Sequence, residues 1–248
     1  MKSEAVNLLA IETARNACSV AVIGSNGVCA GATNLRPRSH AEQLVPMAMR
    51  VVAAAGLSFP QLDTIAVSAG PGSYTGLRIG VSTAKGFASA YGAQIVGVPT
   101  LQAYAHAADH LSRLRQNRPE LVAIALTARR SELYFGVFEM KNGDGLPSML
   151  LDACVLSIDD SLDALAGLAG GRMVGVAGDA AKGLVAATKD RFRAIEMEFV
   201  PSAMSIGKIG LERANAGHVD DLRSFEPYYL KDYVARVSDK SVFERLPT

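Results

Sequence analysis

The residues best placed to do chemistry, or to hold a partner, lie in one run: Gly70-Pro71-Gly72-Ser73-Tyr74-Thr75-Gly76-Leu77-Arg78-Ile79-Gly80. It follows a strand-like stretch, Thr64–Ser68, and leads into a helix-like stretch from Thr75 to Tyr91. Glycine allows backbone angles and close approaches that a side chain would block. Ser73 or Thr75 can cap the new helix, and the open N–H groups of a helix start favour an anion or a polar partner. The spacing matches neither common phosphate loop, because Gly70, Gly72 and Gly76 stand two and then four apart and no Gly-Lys-Ser/Thr follows. Tight packing and a ligand or partner site both remain open on this pattern.

Other chemical groups are fewer. His106-Ala107-Ala108-Asp109-His110 puts two imidazoles four apart on an expected helix, a spacing that can chelate a metal. Sequence fixes no third ligand, so an exposed helix face is the expectation and no bound metal is assigned. No Gly-x-Ser-x-Gly is present, so a serine hydrolase has no support. Cys18, Cys29 and Cys154 are scattered, which suggests reduced core thiols and a cytoplasmic setting. The N-terminus runs into a strand with no signal-like segment, and no apolar run is long enough to span a membrane.

A simple order of elements must position these residues. Strands are expected at Leu8–Glu12, Ala17–Ile23 and Gly27–Asn34, the last two joined by a turn at 24–27. A helix should start at Ser39, with Glu42 completing a capping box, and Pro46 should bend it. Strand Thr64–Ser68 and the glycine-entered helix complete a βββαβα unit. A linking strand (Gln94–Val98) and a helix (Leu101–Leu114) follow. The order then returns: strands Leu121–Thr127, Leu133–Met140 and Met149–Leu156, helix Asp159–Leu168, strand Met173–Ala177 and helix Ala180–Thr188. The fold class is therefore α/β with duplicated βββαβα units, the two-lobed plan of the actin-like ATPase and sugar-kinase (ASKHA) superfamily. Its N-terminal lobe is expected over 1–113. The C-terminal lobe is expected over 114–248, with its tail packing back toward the first.

Composition fits such a body. The 248 residues are 49% hydrophobic and 20% charged, enough for a large core. Charge is balanced, 25 Lys+Arg against 24 Asp+Glu, which argues against strong nucleic-acid binding by this chain alone. The glycine-entered helix carries Gly76, Gly80, Ala84 and Ala88 on one stripe, where another helix could approach closely. A second stripe, Ile79, Thr83, Gly86 and Ala90, is also small or apolar. The helix from Ser39 spreads Met47, Met49 and Val51 around it. Packing against the chain's own sheet and a place in an interface are both open for these two helices.

Several segments together resemble the bacterial TsaB (YeaZ) family. They are Leu9-Ala10-Ile11-Glu12-Thr13-Ala14, Ala17–Ala21, His40-Ala41-Glu42-Gln43-Leu44-Val45-Pro46, the run Gly70–Gly80, Gly97-Val98-Pro99-Thr100-Leu101 and Pro227-Tyr228-Tyr229-Leu230-Lys231. The resemblance implies a non-catalytic paralogue of TsaD, the transferase that places threonylcarbamoyl on adenosine 37 of tRNAs reading codons that begin with A. It implies an accessory subunit that pairs with TsaD through its N-terminal lobe, by an interface through the helix from Ser39 and the glycine-entered helix, and that forms a two-fold homodimer when alone. The ATPase TsaE would dock on the pair, and tRNA would be met only through the complex. Site residues for partner binding or loop geometry would be Gly70, Gly72, Ser73, Tyr74, Thr75, Gly76, Arg78, Gly80, Ala84, Met47 and Val51, with no catalytic residue. The metal-binding His pair of active relatives would fall on Thr100 and Tyr104, neither suited to it. Glu12 would stand where the family commonly has Asp, and Thr127 where the second lobe has an acid. Gly178-Asp179 keeps one glycine of a nucleotide-binding turn and reads as an ordinary strand–helix connection. No cofactor is expected on the chain alone; ATP and magnesium are expected only at the assembled complex. The alternative is an autonomous ATP-dependent transferase or a metal-dependent, glycoprotease-like hydrolase.

Overall fold

The structure, a computed structural model, describes residues 6–24, 27–113, 116–129, 131–141, 145–189, 191–198 and 200–230. The tips of the two expected hairpin turns, at 25–26 and 142–144, lie outside the described residues, as do Leu114, Arg115, Arg130 and Lys231.

Two five-stranded sheets organise the chain. The first contains β1 (Leu8–Glu12), β2 (Cys18–Gly24), β3 (Gly27–Asn34), β4 (Thr64–Gly70) and β5 (Gln94–Pro99), in the order β3-β2-β1-β4-β5. The hairpin strands are antiparallel, and β1, β4 and β5 are parallel. The stretch expected as a linking strand, Gln94–Val98, is thus a full member of this sheet. Side chains of β1 alternate strictly: Leu9 and Ile11 join one core layer, Leu8 and Ala10 another. A strand covered on both faces reads as a continuous apolar run, which is how Leu-Leu-Ala-Ile reads here.

The outer face of this sheet is covered by α1 (His40–Ala54) and α2 (Tyr74–Tyr91). Helix α1 keeps Pro46 inside it. Its expected capping box is absent: the Ser39 hydroxyl donates to the Arg36 carbonyl at 2.7 Å instead of capping the helix. Helix α2 is capped as expected by Ser73, whose Oγ accepts from the Gly76 N–H, and it ends at Gly92 in the left-handed region.

The second sheet repeats the plan with β6 (Leu121–Arg129), β7 (Glu132–Glu139), β8 (Ser148–Ser157), β9 (Val174–Ala177) and β10 (Ala194–Met197), ordered β10-β9-β6-β7-β8. Leu8 and Leu121 hold equivalent places, the first pairing with Thr64 of β4 and the second with Val174 of β9. Helices α4 (Ile158–Ala169) and α5 (Ala181–Ala187) cover its outer face.

Between the sheets lie α3 (Thr100–Ser112) and α6 (Ala203–Asn215). Leu101, Tyr104 and Ala108 of α3 and Ile206 and Ile209 of α6 share one core with Ala10, Val98, Val122 and Phe138. Glycines bring α6 close to the first sheet. A Cβ at Gly210 would stand 2.5 Å from Ala66 Cβ, and one at Gly207 would strike Ile23. Beyond α6 the chain runs along β5 as a strap. Asp220 bridges Ile95, its carboxylate accepts from the Gly97 N–H at 2.7 Å, and the Tyr228 N–H donates to the Ala69 carbonyl at 2.7 Å. Among the described residues no helix is long and apolar enough to cross a membrane.

Candidate functional site

The glycine run packs against the turn that leaves β1. A Cβ on Gly72 would stand 2.6 Å from the Ala14 carbonyl oxygen; one on Gly76 would meet the Thr13 carbonyl, and one on Gly80 the Thr13 hydroxyl. Gly70 has φ +120°, a conformation that favours glycine, and a Cβ there would strike the Tyr228 carbonyl of the strap. Its N–H donates to Thr100 Oγ1 at 3.1 Å, and the Ser73 N–H donates to the Ala14 carbonyl at 2.7 Å. Each of these close approaches joins this chain to itself. Thr75 is exposed, whereas Tyr74 is half-buried beneath the Arg78 guanidinium, which lies 4.1 Å from its ring centroid.

Four expected partner-facing residues need correction. Gly80 and Ala84 are buried, and so are Met47 and Val51. Ala84, Met47 and Val51 belong to the core between the helices and the first sheet, and Gly80 closes on Thr13. The stripe of small residues lets α2 approach its own sheet. The outward positions are different: Val45 and Met49 of α1, 41% and 59% exposed, and Ser82, Gly86 and Ala90 of α2. A Cβ on Gly86 would meet nothing within 4 Å.

A cleft of about 280 Å³ opens between the lobes, beside Arg15, Tyr104, Gly178 and Asp179. Glu12, at the end of β1, lies beside it and is fully buried. Its Oε1 accepts from the Ala14 N–H at 2.6 Å and from the Tyr104 hydroxyl at 3.4 Å, while Oε2 has no hydrogen-bond partner among the described residues. Burial pushes its carboxyl up to about 7; the Ala14 amide, the Tyr104 and Ser68 hydroxyls and the Arg15 charge offset only part of that. Arg15 crosses to the second lobe. It donates to the Thr127 carbonyl at 3.0 Å and ion-pairs with Asp179. The other oxygen of Asp179 accepts from the Thr127 N–H at 2.8 Å. This clasp involves a residue, Asp179, expected only in an ordinary turn. Gly178, at φ +118°, fits there because a Cβ would strike the Ala125 carbonyl.

These residues do not fit a magnesium nucleotide. Glu12 is turned inward onto Ala14, Thr127 offers no carboxylate, and Asp179 is held by a guanidinium. Glu196 and Glu198 add further negative charge to the lining, which disfavours a polyphosphate. Thr100 and Tyr104 serve as hydrogen-bonding partners of Gly70 and Glu12.

His106 and His110 do not converge with a third ligand; no group of three metal-ligand side chains occurs among the described residues. The His106 Nδ1 lies 3.1 Å from Ser205 Oγ of α6, and burial lowers its pKa. Asp109, between the histidines in sequence, is buried and ion-pairs with Arg113 and Arg118. Cys18 is a buried thiol whose pKa burial raises to about 11, which suits packing. Cys29 is exposed on β3 and Cys154 is half-buried, so the expectation of three core thiols holds for Cys18 alone.

A family profile described as TsaD, tRNA N6-adenosine threonylcarbamoyltransferase, matches residues 34–202. The Escherichia coli protein named tRNA threonylcarbamoyladenosine biosynthesis protein TsaB is 34% identical over 134 residues, 54% of this chain and 55% of that protein. Its Bacillus subtilis namesake is 29% identical over 138 residues, 56% and 57% of the two chains. The chain thus spans about half the length of the curated relatives it matches. A solved Pseudomonas aeruginosa protein, described as uncharacterized with similarity to peptidase YEAZ, superposes with a TM-score of 0.75 at 26% identity, covering 91% of this chain and 100% of that one. A ROK hexokinase from Thermus thermophilus shares the fold at a TM-score of 0.51 and 12% identity, over 84% of this chain and 100% of its own. The duplicated sheets, the glycine loop closed on the β1 turn and these matches agree: the chain belongs to the TsaD family of tRNA N6-adenosine threonylcarbamoyltransferase domains, within its TsaB (YeaZ) group.

Proposed function

We propose that this chain is a non-catalytic subunit of the apparatus that forms threonylcarbamoyladenosine in tRNA, binding and activating a TsaD-type transferase. The observation that carries this reading is the cleft. Arg15 spans it to Asp179, and the positions that would need an acid and two metal ligands hold Thr127, Thr100 and Tyr104, each engaged in internal hydrogen bonds. Such a body is built to be held closed and to present a surface. The outward faces of α1 and α2 supply one, with Val45 and Met49 beside Ser82, Gly86 and Ala90. Exposed apolar side chains next to a low-profile helix face suit helix-on-helix docking.

In this reading TsaE joins the pair, tRNA is met through the assembled complex, and ATP with magnesium acts there, in the cytoplasm. Alone, the chain forms a two-fold homodimer through the same faces and exchanges it for the heterodimer. The test is co-expression with the TsaD of the same organism, followed by size-exclusion chromatography and a tRNA modification assay with TsaE and the threonylcarbamoyl-adenylate synthase. The expected result is a heterodimer and modification that requires both chains. Modification by this chain without TsaD would instead establish the autonomous-transferase reading.

A further inference from the structure

The first turns of α2 carry a cation that meets no carboxylate among the described residues. Arg78 is exposed, its guanidinium 4.1 Å from the Tyr74 ring centroid, and its Nε donates to the Tyr229 hydroxyl at 3.2 Å. The two rings are 5.3 Å apart. Tyr229 belongs to the strap, so Arg78 is held between two segments far apart in sequence. No ion pair joins Arg78 to an Asp or Glu among the described residues. Beside it, between α2 and the strap, opens a pocket of about 370 Å³ with Val81, Phe225 and Pro227 in its wall. The neighbouring cation, Lys85, is already spent on the carbonyls of Arg223 and Phe225, at 3.1 and 2.9 Å.

A surface arginine normally samples many rotamers, and ordering it opposes binding. Here two tyrosines order it beforehand. A planar guanidinium is shaped to take a carboxylate with two parallel hydrogen bonds, which a lysine cannot do. Arginine and tyrosine beside an apolar pocket are the residue types that concentrate binding energy in protein interfaces. A nucleic-acid backbone is the poorer occupant, because it needs several cations in a row, and here the neighbouring Lys85 is engaged by two backbone carbonyls. We propose that Arg78 anchors a carboxylate of the partner subunit, and that an apolar side chain from the same partner segment enters the pocket beside it. This rests on the reading of the chain as a TsaD-binding subunit and gives that surface its specific chemistry.

The test is calorimetric titration of the TsaD of the same organism into the full-length chain and its Arg78→Ala, Arg78→Lys and Tyr229→Phe variants, with melting temperatures on the same samples. Arg78→Ala should weaken binding by about tenfold or more, in the range for a lost interfacial charge pair. Arg78→Lys should recover little of it, because charge without the fork is insufficient. Tyr229→Phe should weaken binding by a smaller factor, and melting should change little in all three. Affinity within twofold of the parent for Arg78→Ala, or full recovery by Arg78→Lys, overturns the anchor. If Arg78→Ala leaves protein affinity intact but lowers tRNA retention by the assembled complex, the cation serves nucleic acid and the proposal is also overturned. Failure of the unmodified chain to bind TsaD removes the subunit reading and the anchor together, whereas binding that ignores Arg78 removes only the anchor.

Discussion

At the scale of single residues, Glu12 is the least expected feature. A carboxyl with one oxygen unpartnered and no exposed surface is costly when ionised, because burial removes its hydration. Its pKa rises from 4.5 to about 7. The native state therefore holds this proton more tightly than the unfolded chain does. Between pH 4.5 and 7 the folded form binds more protons, so the stability it contributes is complete below 4.5 and is lost as pH rises through 7. The full loss is roughly 3 kcal/mol. His106 acts in the opposite sense: its lowered pKa means that folding is favoured as pH rises through the ordinary histidine range. Comparing the parent with Glu12→Gln cancels that term. Scanning calorimetry at pH 5 and pH 8 should show the parent losing stability relative to Glu12→Gln as pH rises. Parallel behaviour of the two would mean that Glu12 is ionised without penalty.

At the scale of the element, α2 has two faces with opposite jobs. Gly80 closes on Thr13, so Gly80→Leu should lower stability by about 1–3 kcal/mol through overpacking, seen as a drop in thermal midpoint before any binding defect. Gly86 faces open space, so Gly86→Leu should leave the midpoint unchanged or raise it slightly, since glycine within a helix is itself unfavourable. If the outer face receives the partner, Gly86→Leu should still weaken TsaD binding. A Gly86→Leu chain that binds normally would move the interface off this helix. The contrast marks what the sequence could say. Two small-residue stripes were visible, Gly76–Gly80–Ala84–Ala88 and Ile79–Thr83–Gly86–Ala90. Periodicity alone does not tell which one meets the sheet, because that depends on where the Thr13–Ala14 turn sits. Strands β1, β2, β4, β6 and β9 are legible because burial on both faces makes them largely continuous apolar runs, whereas the exposed β3 is legible only through the turn that precedes it. Strand β10 is only Ala194–Met197, with Glu196 inside it, and α6 has Gly207 and Gly210 in its interior, where local propensity disfavours a helix. Both are held by tertiary contacts, and α6 exists where it does because those glycines fit against Ile23 and Ala66. The sequence marks Asp179 only as a turn residue, since its partner, Arg15, is 164 positions away.

At the scale of the whole molecule, the two sheets are joined by the shared α3–α6 layer and by the Arg15–Asp179 clasp over the cleft. The first is a broad apolar contact; the clasp is one partly buried charge pair with Arg15 bonded to the Thr127 carbonyl as well. Removing Asp179 leaves the largely buried Arg15 charge without its counter-ion, so Asp179→Ala should cost about 1–3 kcal/mol, and Arg15→Ala, which leaves the exposed Asp179 to water, about 1 kcal/mol. The double variant should cost clearly less than their sum, since the two losses are one interaction. Denaturant unfolding of the four proteins measures the coupling, and additive losses would mean that the clasp does not hold the lobes. The same variants bear on function. If the clasp were merely a lid over a working nucleotide site, opening it would reveal affinity for magnesium-ATP. Here the second-lobe position carries Thr127, and Glu12 remains folded onto the Ala14 amide behind Tyr104. Arg15→Ala should therefore show no calorimetric binding of magnesium-ATP. Saturable binding by that variant would mean that the cleft has kept its ligand chemistry beneath the clasp, and the reading of this chain as a non-catalytic subunit would have to give way to a regulated nucleotide-binding one.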